Sequence, residues 1–147
     1  MAIIQYDDEY FMQQALIEAE YAKQEAEIPI GCVIVCNDKI ISKGHNMTER
    51  LTDSTSHAEM IAITSAEEML SSKYLQGCTL YVTVEPCVMC AGAIMWSQIS
   101  RLVYGAKDEK RGYSSFGNPF PNKMEVFSGV LEKECKRLMI DFFRNKR

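Results

Sequence analysis

The sequence lacks the features that would place the chain in a membrane or divide it into several domains. No run of 18 apolar residues occurs among its 147 residues, so we expect no membrane-spanning helix. The opening residues, MAIIQYDDEYF, show no basic start followed by an apolar stretch, so no secretory signal peptide is expected. Internal repeats, low-complexity tracts and linkers rich in proline and glycine are also missing. The length fits one domain, residues 1–147.

The cysteines are expected to be reduced, because nothing in the sequence indicates export from the cytoplasm. The six cysteines are then metal ligands or small core residues and not a disulfide framework. Cys32 and Cys36 are four residues apart in a strand-like run, which directs both side chains to one face of a sheet as packing residues. Cys78 and Cys135 are also interpreted as packing residues.

The charge of the chain is uneven. The net charge of −4 argues against a broadly basic surface for nucleic acid. The last residues, 131–147, are nevertheless basic and allow two interpretations: a solvated terminal helix, or a local surface for a polyanion. Their basic residues are Lys133, Lys136, Arg137, Arg144, Lys146 and Arg147.

Hydrophobic periodicity predicts alternating helices and strands. The predicted helices are 8–24, capped by Asp7 or Asp8, 57–70, capped by Thr55 or Ser56, then 87–98 and 131–146. The predicted strands are IPIGCVIVC and KIISKGHN, which form a hairpin, followed by CTLYVTV, RLVYGA and MEVFSGV. Residues 107–123 are predicted to form a long loop of a kind that is often functional. The pattern predicts an α/β domain with helices on both faces of a sheet, and it leaves the strand order open.

Two short motifs carry chemistry: His57-Ala58-Glu59 and Pro86-Cys87-Val88-Met89-Cys90. Residues three apart in a helix share a face, so Cys87 and Cys90 can direct both sulfurs at one ion. Two cysteines and one histidine form the ligand set of a catalytic zinc site, whose fourth position is left for water. A lone C-x-x-C also marks redox sites, but H-x-E followed by P-C-x-x-C matches the signature of zinc-dependent nucleobase deaminases. We therefore predict one zinc per subunit, held by His57, Cys87 and Cys90.

Hydrolytic deamination also requires a proton carrier and groups that orient the base. Glu59 follows the predicted ligand His57 by two residues, so it can lie near the metal without binding it and act as the general acid and base. The backbone N–H of Ala58, at the start of the same helix, can orient the substrate. Asn46 ends the second strand, where its amide can bind a base or ribose edge or belong to an ordinary turn.

The motifs, together with TLYVTVEPCVMCAGA (79–93) and Tyr104-Gly105-Ala106, resemble the bacterial tRNA adenosine deaminases of the cytidine deaminase-like superfamily. The resemblance implies a three-layer α/β/α fold with a central five-stranded mixed sheet, in a homodimer. It implies conversion of adenosine to inosine at the wobble position of a tRNA anticodon loop. Asn46 matches a residue that contacts the flipped base. Phe143 and Arg144 match the RNA-contacting end of the family, although Phe142 and Phe143 can equally pack the last helix onto the sheet.

Two departures from the family keep other functions open. Trp96-Ser97-Gln98 stands where the family commonly has His-Ser-Arg, and residues 112–123 also differ. A second hypothesis is a deaminase of a free base or nucleoside, such as guanine, cytosine, cytidine or adenosine, which the negative net charge and Trp96 favour. A third is a non-catalytic zinc-binding or RNA-binding module, in which Glu59 would have no role.

Overall fold

A computed structural model describes residues 6–145 of the chain. The helices are α1 (Asp8–Gln24), α2 (Thr48–Leu51), α3 (Ala58–Leu70), α4 (Val88–Trp96) and α5 (Glu132–Arg144). The strands are β1 (Gly31–Cys36), β2 (Lys39–His45), β3 (Cys78–Val84), β4 (Arg101–Ala106) and β5 (Glu125–Ser128). Each predicted helix and strand is present, and the predicted capping of α1 is confirmed at Asp7, whose carboxylate accepts from the backbone N–H of Tyr10 at 2.9 Å.

The five strands form one mixed sheet in the order β2-β1-β3-β4-β5. Strand β1 is antiparallel to both β2 and β3, whereas β3, β4 and β5 are parallel to one another. Asn37 and Asp38 turn the β1–β2 hairpin with φ angles of 52° and 61°, as a two-residue hairpin turn requires. This topology brings the carboxyl ends of β2, β3, β4 and β5 to one edge of the sheet, where the chemical motifs follow β2 and β3.

Helices cover both faces of the sheet, which confirms the three-layer prediction. Side chains alternate between faces along each strand, so β1 supplies Cys32 and Ile34 to one core and Val33 and Val35 to the other. The first core is closed by α3 and α4, and the second by α1 and α5. The cysteines predicted to pack do so: Cys32, Cys78 and Cys135 are buried, and Cys36 packs against the first core.

The predicted helix starts are wrong by one residue at both motifs. His57 and Cys87 are the N-cap residues of α3 and α4, with extended backbone, and not their first helical residues. Neither Thr55 nor Ser56 caps α3, because both hydroxyls donate instead to the carboxylate of Asp53. The polar loop after β2 also contains the short helix α2. At the other end α5 stops at Arg144, and Lys146 and Arg147 lie outside the described residues.

The predicted loop 107–123 is folded onto the domain at two points. Tyr113, in a 3-10 turn (Tyr113–Ser115), and Phe120 are buried, with their rings packed edge to face at 4.9 Å between centroids. Phe116 between them is 70% exposed. The loop is therefore held at its base and exposed at its tip. Across residues 6–145, no helix is both long and apolar enough to cross a membrane.

Candidate metal centre and active site

The candidate site lies where β2 and β3 end beside the first turns of α3 and α4. Asn46 follows β2, and Cys87 follows β3 after Glu85 and Pro86. Strand β2 approaches α3 closely at Gly44, where a β-carbon would collide with the carbonyl oxygen of Ala58. This close approach is open only to glycine, and it holds the end of β2 against the helix that carries Glu59.

The three predicted metal ligands meet at one point. The Nδ1 atom of His57 lies 3.5 Å from the Sγ atom of Cys87 and 3.5 Å from that of Cys90. The three ligand atoms all lie within 4.8 Å of one another. Zinc–nitrogen and zinc–sulfur bonds of about 2.0 and 2.3 Å at a tetrahedral angle separate the two ligand atoms by about 3.5 Å. The donor set and its spacing therefore fit zinc.

His57 is oriented by the loop that precedes it. The backbone carbonyl of Ser54 adds to the larger effect of Cys87 in raising the pKa of His57, and a carbonyl in this position can orient a metal-bound histidine. The carboxylate of Asp53 closes the turn by accepting from the backbone N–H of Thr55 at 2.9 Å and from the Ser56 hydroxyl at 2.7 Å. These bonds fix the direction in which His57 presents Nδ1.

The cysteine ligands are partly deprotonated before any metal binds. Hydrogen bonds from Cys90 and then His57 lower the pKa of Cys87 to about 4, against the opposing effect of burial. The hydrogen bond with the same thiolate raises the pKa of His57. The hydrogen bond to Cys87, with burial, raises the pKa of Cys90, so the two cysteines share one negative charge until a cation binds. A cation bound by both sulfurs would displace the remaining thiol proton to solvent, since a coordinating thiol is deprotonated.

Glu59 is the one acid in the motif and is buried, with 4% of its surface exposed. Burial raises the pKa of its carboxyl to about 7, with a smaller raising effect from the charge of Cys87. Hydrogen bonds from its own backbone N–H and from Cys90 oppose that rise. A carboxyl group whose pKa lies near neutrality can both accept and return a proton, which suits general acid–base catalysis.

The other two residues predicted beside the base have free polar groups. Asn46 is 5% exposed, and within residues 6–145 its side-chain amide forms no hydrogen bond. Its backbone N–H is bound to the carbonyl of Ile30 at 3.1 Å, which fixes its position. Ala58 is the first residue of α3, where backbone N–H groups have no intrahelical acceptor. Both can therefore bind a substrate.

Phe143 and Arg144 are not brought to the metal-ligand cluster within the described chain. They occupy the last turn of α5, and no hydrogen bond, ion pair or ring contact of residues 6–145 joins them to the cluster. The Phe143 ring packs edge to face on Phe142 at 5.3 Å and is 50% exposed. A role in substrate binding would require a contact distant from the candidate metal.

Two buried acids beside the site were missed by sequence reasoning. Glu27, 1% exposed, accepts from the backbone N–H groups of Glu49 at 3.0 Å and Arg50 at 2.7 Å. Glu85, 4% exposed, accepts from Asp108 and Ser114. The position of Glu85 directly after the buried strand β3 could have indicated its role, because a carboxylate buried there needs hydrogen-bond donors. Glu27 had no such signal, because it does not follow a strand and its closest partners are backbone N–H groups of the short helix α2.

Comparison with known proteins agrees with this geometry. Residues 5–106 match the family model for the cytidine and deoxycytidylate deaminase zinc-binding region. A tRNA-specific adenosine deaminase of Bacillus subtilis (strain 168) is 44% identical over 146 residues, covering 95% of this chain and 91% of the relative.

Solved structures share the fold. One, from a study of A-to-I editing by tRNA:A34 deaminases at the wobble position of transfer RNA, has a TM-score of 0.82 and 41% identity, covering 88% of this chain and 98% of the other. A guanine deaminase from Bacillus subtilis has a TM-score of 0.68 and 34% identity, covering 77% of this chain and 71% of the other. The family's cofactor is zinc, for which the cluster of His57, Cys87 and Cys90 offers a site. The chain belongs to the tRNA-specific adenosine deaminases, within the cytidine and deoxycytidylate deaminase zinc-binding family.

Proposed function

We propose that this protein is a zinc-dependent hydrolytic deaminase that converts adenosine to inosine at the wobble position of tRNA, with residues 1–147 acting as one domain. The observation that carries the proposal is that His57 Nδ1 lies 3.5 Å from the Sγ atoms of both Cys87 and Cys90, beside a buried Glu59. It occurs in a chain 44% identical to a tRNA-specific adenosine deaminase.

In this proposal His57, Cys87 and Cys90 hold the zinc, and Glu59 moves the protons. Bound zinc supplies a nucleophile near neutral pH by lowering the pKa of water to about 7. Glu59 accepts a proton from the attacking water and delivers it to the adenine ring nitrogen. It then accepts a second proton, from the hydroxyl group newly attached to the ring carbon, and delivers it to the departing amino group, leaving the carbonyl of inosine. Water and adenosine are consumed, and ammonia and inosine are formed. The near-neutral pKa of Glu59 supports both directions of transfer.

The target base is bound by groups that the protein leaves unpaired. The amide of Asn46 can donate to and accept from the edge of a flipped base. The first N–H groups of α3, including that of Ala58, can donate to an oxygen of the substrate. Asn46 and Ala58 lie next to the metal ligands, at the carboxyl ends of the strands. This position supports a binding orientation in which the reacting carbon of the base faces the zinc.

A basic surface on α5 supports a polyanionic substrate. Lys133, Lys136, Arg137 and Arg144 lie on one face of the helix and, with Ile140 and Asp141, line a shallow depression of about 540 Å³. No ion pair of residues 6–145 neutralises these four cations. Phosphate contacts of such cations position a nucleic acid. Phe143, half exposed in the last turn, offers a ring on which a base can stack, and Arg144 beside it can bind phosphate.

An anticodon stem-loop carrying adenosine at position 34 tests the substrate. The zinc-loaded protein should release one ammonia per inosine formed, and a stem-loop with guanosine at position 34 should give none. The rival is a deaminase of a free base or nucleoside, which the 34% identity to a guanine deaminase favours. Turnover of guanine, cytosine, cytidine or adenosine, without inosine in RNA, would establish that rival.

We also infer that the protein is a cytoplasmic homodimer. Trp96, 76% exposed at the end of α4, and Val88, 52% exposed at its start, leave apolar surface uncovered, as interfaces do. Sedimentation should give twice the mass of the chain for the wild type and the monomer mass for Trp96→Glu. The control Met69→Glu alters another exposed apolar side chain and should remain dimeric. A monomeric wild type would exclude the dimer. The free state of all six cysteines fits a reducing cytoplasm.

A further inference from the structure

Glu85 is a buried acid that the proposed reaction does not use. It follows β3 and precedes Cys87 by two residues, and only 4% of its surface is exposed. Its Oε1 atom accepts from the backbone N–H of Asp108 at 3.1 Å. Its Oε2 atom accepts from the backbone N–H of Ser114 at 3.0 Å and from the hydroxyl at 2.7 Å. Among residues 6–145 no cation forms an ion pair with it, so the loop alone satisfies this carboxylate.

The loop backbone lies directly on the Glu85 carboxyl group. A β-carbon at Gly112 would collide with the Glu85 carboxyl group and with the carbonyl oxygen of Asp108. Next to this contact, Gly112 pairs with Cys87 in an isolated antiparallel bridge, and the backbone N–H of Tyr113 donates to the carbonyl of Pro86 at 2.9 Å. The loop therefore runs alongside the residues that begin the candidate metal-binding motif.

The segment held in this way carries groups suited to nucleic acid. Lys107, Lys110 and Arg111 are exposed, and the ring of Phe116 is 70% exposed. Cations bind phosphates, and an exposed aromatic ring can stack on an unpaired base. These groups can act together on a substrate at Cys87 only if the loop keeps a fixed position relative to the end of β3.

We propose that Glu85 is a positioning residue that holds the 107–116 loop against the candidate metal centre so that the loop can bind the substrate RNA. The assignment rests on the proposed function. Glu85 acts through Asp108, Gly112 and Ser114 and does not touch the substrate. Its removal should weaken substrate binding and leave the chemical step unchanged.

The hydrogen bonds between Glu85 and Ser114 anchor the loop, and the variants Glu85→Gln and Ser114→Ala alter the acceptor and the donor of this contact, respectively. The amide at position 85 turns an N–H donor toward the donors of Ser114, and the alanine at position 114 removes one bond to the carboxylate. The KM for an anticodon stem-loop with adenosine at position 34 should rise about tenfold in Glu85→Gln and less in Ser114→Ala. We expect kcat within about twofold of the wild type and one zinc per chain in both. The double variant should show less than the product of the two effects, because both changes remove the same contact.

Trypsin cleavage of the RNA-free, zinc-loaded protein measures the same anchor without any substrate. Cleavage after Lys110 and Arg111 should be faster in Glu85→Gln than in the wild type, with fragments identified by mass. The control Gln76→Ala removes an exposed hydrogen bond to the side chain of Gln98, outside the 107–116 loop, and it should match the wild type in cleavage and KM.

The outcomes separate this inference from the proposed function. Wild-type cleavage rates and KM in Glu85→Gln would overturn it. Loss of zinc and kcat at unchanged KM would overturn it too, because Glu85 would then serve only the metal motif. If the wild type deaminates a free base and not RNA, the proposed function fails, the RNA role of the loop fails with it, and the cleavage result still decides whether Glu85 anchors the loop.

Discussion

The carboxylate of Glu27 lies 2.7 Å from the backbone nitrogen of Arg50, and this contact ties the end of α1 to the loop between Asn46 and His57. The other carboxylate oxygen accepts from the backbone N–H of Glu49 at 3.0 Å. The first N–H groups of a short helix have no acceptor within it, so α2 depends on an outside partner. Glu27 supplies that partner from a buried position.

Replacing Glu27 by glutamine should therefore destabilise the protein. The amide has one acceptor oxygen for two backbone donors, so its N–H₂ group would face the N–H of either Glu49 or Arg50. The expected loss is about 1–3 kcal/mol in the free energy of unfolding, the cost of leaving a buried donor without a partner. Urea denaturation of the zinc-loaded protein measures it. Glu20→Gln, at an exposed position of α1, is the control, and equal midpoints for the two variants would contradict the expected role.

Glu59→Gln should separate metal binding from catalysis. The amide keeps the shape of the side chain and cannot accept and return a proton. Proton transfer by a positioned side chain contributes about 10²–10⁴-fold, so kcat should fall by that factor. Zinc content, measured by atomic emission, should stay at one per chain because Glu59 is not among the clustered ligands. Glu68→Gln, exposed on the same helix, should keep full activity. A Glu59→Gln enzyme with wild-type kcat would show that Glu59 is not the proton carrier of the reaction.

The sequence predicted the candidate metal cluster because the types of its ligands are specific to the chemistry, although His57 and Cys87 are 30 residues apart. Cys87 and Cys90 are joined by one turn, and His57 is one of two histidines in the chain. The central strands were predictable for a local reason, since they are rich in β-branched and aromatic residues. Strand order was not, because it depends on which strands meet after the chain has folded.

The roles of the buried acids Glu27 and Glu85 could not be predicted from the sequence, for a different reason. Glu27 and Glu85 bind backbone N–H groups 22 to 29 residues away, and a backbone group has no letter in the sequence. The start of α3 was misplaced because Ser56, a good capping residue by type, is bound to Asp53 instead. Hydrogen bonds formed only in the folded protein therefore determine where α3 starts and which groups bind Glu27 and Glu85.

Metal removal should expose one reactive thiol. In the metal-free protein, hydrogen bonds from Cys90 and His57 lower the pKa of Cys87 to about 4, so Cys87 is a thiolate at pH 6. Burial instead raises the pKa of Cys135 to about 12, so Cys135 is a thiol at that pH. The thiolate is the form that reacts with iodoacetamide. Peptide mass mapping should show Cys87 alkylated at least about tenfold faster than Cys135, and zinc should suppress the reaction. Equal labelling with and without zinc would contradict the assignment of Cys87 as a ligand.

The ion pair of Asp8 and Arg101 should make the free energy of unfolding depend on pH in the acidic range. Arg101 donates two hydrogen bonds to the Asp8 carboxylate, at 2.8 and 2.7 Å, and lowers the pKa of that carboxyl below its ordinary value of 3.8. The folded state therefore holds this proton more weakly than the unfolded chain. The stabilisation is full above pH 3.8 and is lost as the pH falls through the lower folded value.

Asp8→Asn tests that dependence. The pair is partly exposed, so the variant should lose only about 1 kcal/mol relative to the wild type at pH 7 and at pH 5. The difference should shrink below pH 3.8, where the wild-type carboxyl also becomes neutral. Thermal unfolding at a series of pH values measures it, with Glu9→Gln as the control because Glu9 lies in the same first turn. A difference that stays constant from pH 7 to pH 3 would show that packing at Asp8, and not its charge, holds α1 to the start of β4.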